Sequence, residues 1–467
     1  MIFGADKKPQ GKFYYRDLSK PVVEISPEFR EFLNKNYPCI LAKPFVVNGV
    51  KSILPFFPEY TFDHGKSIYL EEEVGEGGEV WAQPGMYGRT KTFDVRSQHP
   101  NSAGAEYLFG EYTQRFLDLV NARAYIKHGE LDKAATLFDG KLAPYLKDKT
   151  KIKQLAYALK IAINSVYGLT AAKFDNLFRD PRNKDNIFAK RGALFMIKLR
   201  HEVQKRGGIV IHIKTDSIKV LDPTPEIEKF IMEYGEQYGY SFEIEHIFEK
   251  ICLVNNAVYI AKCAKDDPET PGEWTATGTQ FAVPYIFKSL FSGEKIEFND
   301  LCETKSVQSG SMYLDMNEAL PNVEALEKEL DIRTYNSLPN NSKKKKTNPE
   351  YSGYSDEDLV KMIEAGHCYT FVGKTGLFSP IKEGCGGGIL YREKDGKYYS
   401  VAGTKGYRWL ESEVVKAEGK DGDIDISYYE ELKNEAIATI EKFGNFENFI
   451  SDNFIATPFS GELKGDK

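Results

Sequence analysis

Residues 160–168 read KIAINSVYG. They close the longer run TKIKQLAYALKIAINSVYG, whose apolar residues recur with helical spacing, so a helix ending at Gly168 is expected. Lys160, Asn164 and Tyr167 are four and three residues apart, which sets them on one helix face. Alone, such a face is equally a solvated edge beside a core. Its meaning depends on what the chain places around it.

Upstream, EYTQRFLDLVNARAYIKHGELDKAATLF (111–138) carries the same period, with Phe116, Leu119, Val120 and Ala124 on one side. A short turn, LAPYLKD, joins the two runs, which suggests a helical hairpin. Before it, TFDVRSQHPNS (92–102) begins as a strand and continues into a polar turn containing His99-Pro100. Downstream, a third helix over roughly 186–205 stops at Gly207-Gly208. IHIKTDSIKV (211–220) then reads as two strands joined at Lys214-Thr215-Asp216. A carboxylate on such a turn can hold a metal, and it is equally an ordinary hairpin tip.

The rest is less structured in its signals. Residues 1–80 mix short apolar pieces with acidic clusters and end in the flexible-looking EEEVGEGGEV (71–80). PEIEKFIMEYGEQYGY (225–240) looks helical, and KICLVNNAVYIAK and TATGTQFAVPYIF look mixed or strand-like. NNSKKKKTNPEYSGYSDED (340–358) has linker composition, the Gly-rich run over 383–410 suggests hairpins, and a helix is expected over about 428–443.

The 467 residues suffice for several modules with substantial cores. Charged residues make up 28% and hydrophobic ones 41%, ordinary for a soluble globular chain. A net charge of -7 announces no nucleic-acid partner globally, but a locally basic cleft remains compatible with it. The 28 Tyr and 30 Phe suit base stacking or the filling of a large core equally. The six cysteines form no CxxC pair, which argues against a zinc ribbon or disulfide framework and for a reducing, cytoplasmic setting. No run is apolar enough to span a membrane.

Taken together and in this order, three segments resemble the polymerase motifs of family B (alpha-like) DNA polymerases. Those motifs read roughly DxxSLYPS, KxxxNSxYG and DTDS. Here they stand as Asp94-Val95-Arg96-Ser97-Gln98-His99-Pro100-Asn101, the complete Lys160 to Gly168 run, and Thr215-Asp216-Ser217. The resemblance covers about 75–290. DNIFAKRGALF, TATGTQFAVPYIFKSLF and GTKGYRWLESE look similar to bacteriophage members and extend it weakly toward the C-terminus.

The resemblance implies an α+β, right-hand fold with palm, fingers and thumb. It divides the chain into an N-terminal segment 1–80, palm 81–114, fingers 115–168, palm 169–300, and a thumb with accessory region 301–467. It implies template-directed DNA polymerisation, with primer-template DNA and dNTPs as partners. Two Mg²⁺ ions about 4 Å apart, or Mn²⁺, would be held by Asp94, Asp216 and the Val95 carbonyl. Nucleotide contacts fall to Ser97, His99, Lys160, Asn164 and Tyr167, and to Arg123 and Lys127, which match a fingers Arg-xxx-Lys pair. The last two also fit a plain exposed basic face. DNA contacts fall to Gly77, Gly78, Gly168, Lys214, Tyr259 and Lys262.

Departures from the family pattern are specific. Lys214 replaces the first acid of DTD; a primer-phosphate contact, a pairing with a nearby acid and a solvated lysine all fit. His99 replaces the Tyr that underlies the incoming sugar. Tyr259 lacks the usual preceding Lys, for which Lys262 is a candidate substitute. Residues 1–80 hold no DxE and are too short for an exonuclease domain, so proofreading is expected to be absent or supplied by a separate subunit. A catalytically impaired DNA-binding relative and an unrelated metal-dependent hydrolase are the rival readings. Joint retention of Asp94, Asp216, Lys160 and Asn164 weighs against the first, and the complete KxxxNSxYG helix against the second.

Overall fold

The computed structural model describes residues 3, 9–15, 45–47, 50–52, 57, 59–106, 108–183, 186–316, 320–339 and 343–454. Cys39 and most of the N-terminal decapeptide lie outside them. The chain forms two compact units, one of residues 1–277 with 442–467 and one of residues 278–441. The division drawn from sequence at residue 300 therefore falls inside the second unit, and the last residues return to the first.

The first unit is built on one antiparallel sheet. Its strands are β1 (Glu79–Ala82), β2 (Gly85–Tyr87), β3 (Thr90–Val95), β4 (Ile209–Thr215), β5 (Ser217–Leu221), β6 (Phe242–Asn255), β7 (Val258–Cys263) and β8 (Trp274–Thr277). The order across the sheet is β8-β7-β6-β3-β5-β4-β1, with β2 also paired to β6. Strand β3 thus lies centrally, between β5 and β6. Alternation explains its two faces: Phe93 and Val95 enter the main core, while Thr92 and Asp94 point to the other side.

Two small antiparallel sheets, one of residues 45–47 with 50–52 and one within 61–73, precede this sheet. The unit's main helices are α1 (Gln98–Ala105), α2 (Thr113–Lys127), α3 (Lys149–Ala171), α4 (Ile187–Lys205) and α5 (Pro225–Gln237). The expected polar turn at His99-Pro100 is helix α1. Pro100 sits in its first turn, where a missing N–H removes no intrahelical bond. The long periodic run after residue 111 is broken at Gly129, whose φ of 75° takes the left-handed cap. Phe116, Leu119 and Val120 are buried as expected, and Ala124 is only half-buried. Helix α3 starts at Asp148, whose carboxylate accepts from the N–H of Thr150 at 2.8 Å. It does not stop at Gly168 but runs to Ala171. Side chains take its last carbonyls: Asn176 donates to Leu169 O at 3.0 Å, and Arg179 to Ala171 O at 3.0 Å.

Helix α4 is buried on nearly all sides and carries charge into the core. Arg191 pairs with Glu106 at 2.9 Å, both side chains fully buried, and also donates to Tyr238 O at 2.8 Å. The returning C-terminal residues lie on the same unit. Lys250 of β6 donates to Ser451 O at 2.5 Å and is ringed by Trp274, Phe449 and Phe454 within 5.9 Å.

TATGTQFAVPYIF is the end of β8 followed, at the start of the second unit, by short helical turns at Thr279–Ala282 and Pro284–Phe287. A three-stranded sheet joins β9 (Glu303–Ser306), β12 (Thr375–Ile381) and β15 (Arg408–Glu411). A four-stranded one runs β11 (Tyr369–Gly373), β10 (Ser311–Asp315), β13 (Ile389–Lys394) and β14 (Lys397–Ser400). The Gly-rich run does form a hairpin, β13–β14, turning at Asp395-Gly396 with both φ positive. Helix α6 (Leu320–Ser337) precedes the presumed linker, whose described part is stitched to it: Arg333 donates to Tyr351 O and Tyr354 O, and Asn336 bonds the backbone of Lys345. That stretch belongs inside the unit and separates no domains. Helix α7 (Asp356–Gly366) follows, and α8 (Ile426–Glu441) is the expected late helix, shifted by two residues at each end.

Glu106→Ala leaves the Arg191 guanidinium buried without its carboxylate. It should lower unfolding free energy by about 3–5 kcal/mol, read from urea denaturation of the variant against wild type.

Candidate active site

The hairpin β4–β5 pairs Lys214 with Ser217, leaving Asp216 at its tip. Thr215 adopts a φ of 57°, left-handed for a non-glycine residue, which turns the chain without a glycine. Across the sheet Ser217 faces Asp94, and the Val95 N–H donates to Asp216 O at 2.9 Å. The two acids of the first and third motifs are therefore locked side by side on neighbouring strands by a backbone hydrogen bond.

Their surroundings make the pair electrostatically uncomfortable without a cation. Burial, then Asp216, Glu245 and Glu243, push the Asp94 carboxyl up to about 8, with Lys219 opposing. Burial and Glu245 raise Asp216, opposed by its own backbone N–H and by Lys219. Glu243 stands opposite Asp94 in register and is paired with Arg96 at 2.6 Å. Glu245 is the extra residue of a β-bulge between the Ile244–Phe93 and His246–Thr92 pairs, a device that re-aims a side chain. The Lys219 ammonium, pushed down to about 8 chiefly by burial, is a buried cation in the cluster.

Beyond Val95 the chain turns through Ser97, also left-handed at φ 52°, into α1. Strained residues thus flank both acids. The next side chain, Gln98, is buried and donates to Thr215 O at 3.0 Å, tying α1 to the hairpin tip. Gly192 of α4 makes room for it: a Cβ there would lie 2.4 Å from Gln98 Oε1. His99 stacks on Tyr167 of α3 with ring centroids 4.5 Å apart and 14° between planes, and its Nδ1 is buried without a hydrogen-bond partner. Burial lowers the imidazole's pKa, which favours the neutral ring. Ser97, His99, Phe116, Asn164, Tyr167 and Asp216 line one pocket. The first and second motifs therefore meet at the acid of the third.

Lys160 and Asn164 are exposed on α3, and Tyr167 at the edge of that face turns inward to His99 and receives a hydrogen bond from Asn186 at 3.3 Å. Gly168 has open space where a side chain would lie. Arg123 is half-buried and Lys127 exposed on α2, which packs against α3. Lys214 is exposed at the tip.

Two groups land differently from the expectation. Gly78, at φ 131°, sits where a Cβ would come within 2.8 Å of the Thr215 methyl, so it props the hairpin tip; Gly77 beside it is open. Lys262 does not stand beside Tyr259. Three residues apart on β7 they point to opposite faces, and Lys262 bonds Asp452 at 3.1 Å. The ammonium over the Tyr259 ring, at 5.2 Å, is Lys219 of β5.

Sequence reading had missed Glu243, Glu245, Lys219 and Gln98. Glu243, Glu245 and Lys219 depend on strand order, and Gln98 on the packing of α1 against the hairpin tip, which no local pattern encodes.

The raised Asp94 pKa has a definite sign. Between the ordinary carboxylate value and about 8, the folded chain holds a proton that the unfolded chain has released, so metal-free stability falls as pH rises through that window. Melting in chelator at pH 6 and pH 8.5 should show the wild-type midpoint dropping, and Asp94→Asn should lessen the drop.

No family model and no curated protein matches the chain. Among solved structures it is similar to the family B DNA polymerase of the hyperthermophilic archaeon Pyrobaculum calidifontis, at 13% identity and a TM-score of 0.36 over 80% of this chain and 47% of that one. The chain spans about half that polymerase's length. A likeness at this level carries no functional weight, and the site's own residues must do so.

Proposed function

We propose that the chain is a template-directed DNA polymerase that extends a primer 3′-hydroxyl with dNTPs, acting in bacteriophage replication. The observation that carries the reading is that Asp216 lines one pocket with Asn164 and Tyr167 of α3, while Asp94 stands beside it on the neighbouring strand.

The acids fit divalent cations of the Mg²⁺ or Mn²⁺ kind: two half-buried carboxylates with raised pKa values, backed by Glu245, form a hard oxygen-donor set whose charge needs neutralising. Asp94, Asp216 and the Val95 carbonyl would hold them. When bound, the two ions activate the attacking hydroxyl and stabilise charge on the leaving group. Asp94 must lose its proton for this, which the cations favour.

The chain's other residues position the triphosphate. Lys160 and Asn164 offer an ammonium and an amide to its oxygens, with Arg123 and Lys127 reinforcing them from α2. The N–H groups of Val95 and Arg96 are used within the sheet, so backbone N–H groups at the start of α1 would take further oxygens. His99 and Tyr167 present a flat aromatic floor for the incoming sugar and base. In the reaction the primer O3′–P bond forms, the bond from that phosphorus to the pyrophosphate oxygen breaks, and the hydroxyl proton passes to solvent. Lys219 over Tyr259 limits the negative charge gathered under the primer end.

Primer extension with dNTPs and Mg²⁺ tests the reading. Asp216→Asn should abolish extension while leaving salt-sensitive DNA binding in place. Lys160→Ala should lower kcat/KM for dNTP by roughly 100-fold or more, as loss of a charge-stabilising donor does. Full extension by Asp216→Asn would refute the assignment of the acids.

In the same assay Lys214→Asp should change the rate by less than about tenfold if the tip lysine is incidental, since one modest contact is worth about 1.4 kcal/mol. A larger loss would make Lys214 a primer-phosphate contact.

A further inference from the structure

Away from the acids, three donor side chains of different chemistry meet at the far end of the β6–β7 hairpin. His246 comes from β6, Cys263 is the last residue of β7, and Asp267 lies in the loop leading to β8. One ligating atom of each lies within 4.8 Å of the other two. We propose that these three residues form a binding site for a single zinc-class transition-metal ion, distinct from the carboxylate pair at Asp94 and Asp216.

The geometry is that of a tetrahedral corner. Bonds of about 2.0–2.1 Å from a metal to nitrogen and to oxygen put those two atoms about 3.3 Å apart in a tetrahedral set. His246 Nδ1 and Asp267 Oδ2 are separated by 3.3 Å. A charge-assisted hydrogen bond between the same atoms would close to about 2.7–2.9 Å. The pair thus stands at the spacing of two ligands, wider than that of a strong ion pair.

Asp267 is held as a ligand is held. Its side chain is fully buried, and its oxygens accept from the N–H groups of Ile247 at 2.7 Å, Glu269 at 3.0 Å and Thr270 at 2.7 Å. Those bonds fix its direction. They use both acceptor sites of Oδ1 and one of Oδ2, leaving one lone pair of Oδ2 toward His246 and Cys263. The His246 ring is braced by stacking on Phe248 at 5.5 Å. Cys263 Sγ, fully buried, touches the Thr270 hydroxyl at 3.3 Å, an outer contact suited to orienting a thiolate.

Nitrogen, sulfur and carboxylate oxygen together are a borderline-soft set, which selects Zn²⁺ over the Mg²⁺ suited to the oxygen-only acids. Three protein ligands leave a fourth position, reachable along the partly exposed edge of His246. On binding, the Cys263 proton passes to solvent, and the ion clips the loop 264–272 to the sheet.

The test uses the full chain, stripped with chelator and loaded with Zn²⁺ or Co²⁺ alone. An Asp94→Asn/Asp216→Asn background removes the carboxylate pair from the count. One zinc should remain per chain after exchange into metal-free buffer. The Co²⁺ form should show the strong visible bands of tetrahedral cobalt together with a near-ultraviolet thiolate charge-transfer band. Cys263→Ser should abolish that band and weaken zinc retention by roughly 100-fold or more, and His246→Gln should weaken it too. Both variants should fold without metal, because the bonds that close the loop come from Asp267. A cobalt spectrum lacking the thiolate band, or equal zinc retention by wild type and Cys263→Ser, would overturn the proposal. Should either variant fail to fold, the wild-type cobalt spectrum decides alone.

Discussion

One backbone hydrogen bond, from Val95 N–H to Asp216 O at 2.9 Å, fixes the candidate site. It joins β3 to the hairpin tip and so sets the spacing of two acids that repel each other and are both partly desolvated. Carboxylates so placed would drift apart on flexible loops. On adjacent strands of a sheet buried beneath by Phe93, Val95, Ile213 and Ile218 they cannot. The surrounding details serve that constraint. Gln98 holds the tip from α1, Gly78 lets β1 approach Thr215, and the Glu245 bulge brings a third acid to bear while Lys219 tempers the sum.

Much of this was legible before the fold was known, because the relevant signals are local. Strand β3 follows from alternation in TFDV, helix α3 from its period, and the hairpin from two apolar runs around a polar tip. What failed also failed for physical reasons. Gly168 looked like a helix end, yet at an ordinary helical φ glycine merely lowers stability. Asn176 and Arg179 fold back to cap carbonyls beyond it, which helical periodicity does not signal. The lysine-rich stretch after residue 340 has linker composition, but Arg333 and Asn336 bind its backbone. Composition reports solvation and is silent about such bonds.

The candidate site divides in the same way. Asp94, Asp216, Lys160 and Asn164 could be named from spacing and resemblance. That Tyr259 and Lys262 face opposite ways was legible from sequence alone, since a separation of three on a strand reverses the face. Glu243 and Glu245 were hidden because β6 lies beside β3 only through the antiparallel pairing of segments some 150 residues apart, and a bulge then shifts the alternation. The His99–Tyr167 stack joins two motifs that local reading treats separately.

The cage around Lys250 bears on the order in which the chain can be assembled. This lysine is buried in a strand of the central sheet, and its carbonyl acceptor and two of its three aromatic neighbours come from residues 449–454. All of the second unit is made in between. A nascent chain emerging from the ribosome therefore carries β6 with an unmatched ammonium until the final segment arrives. The packing over Lys250 is therefore completed only after all of the second unit has been made, and truncation before residue 449 would leave a buried ammonium without its carbonyl.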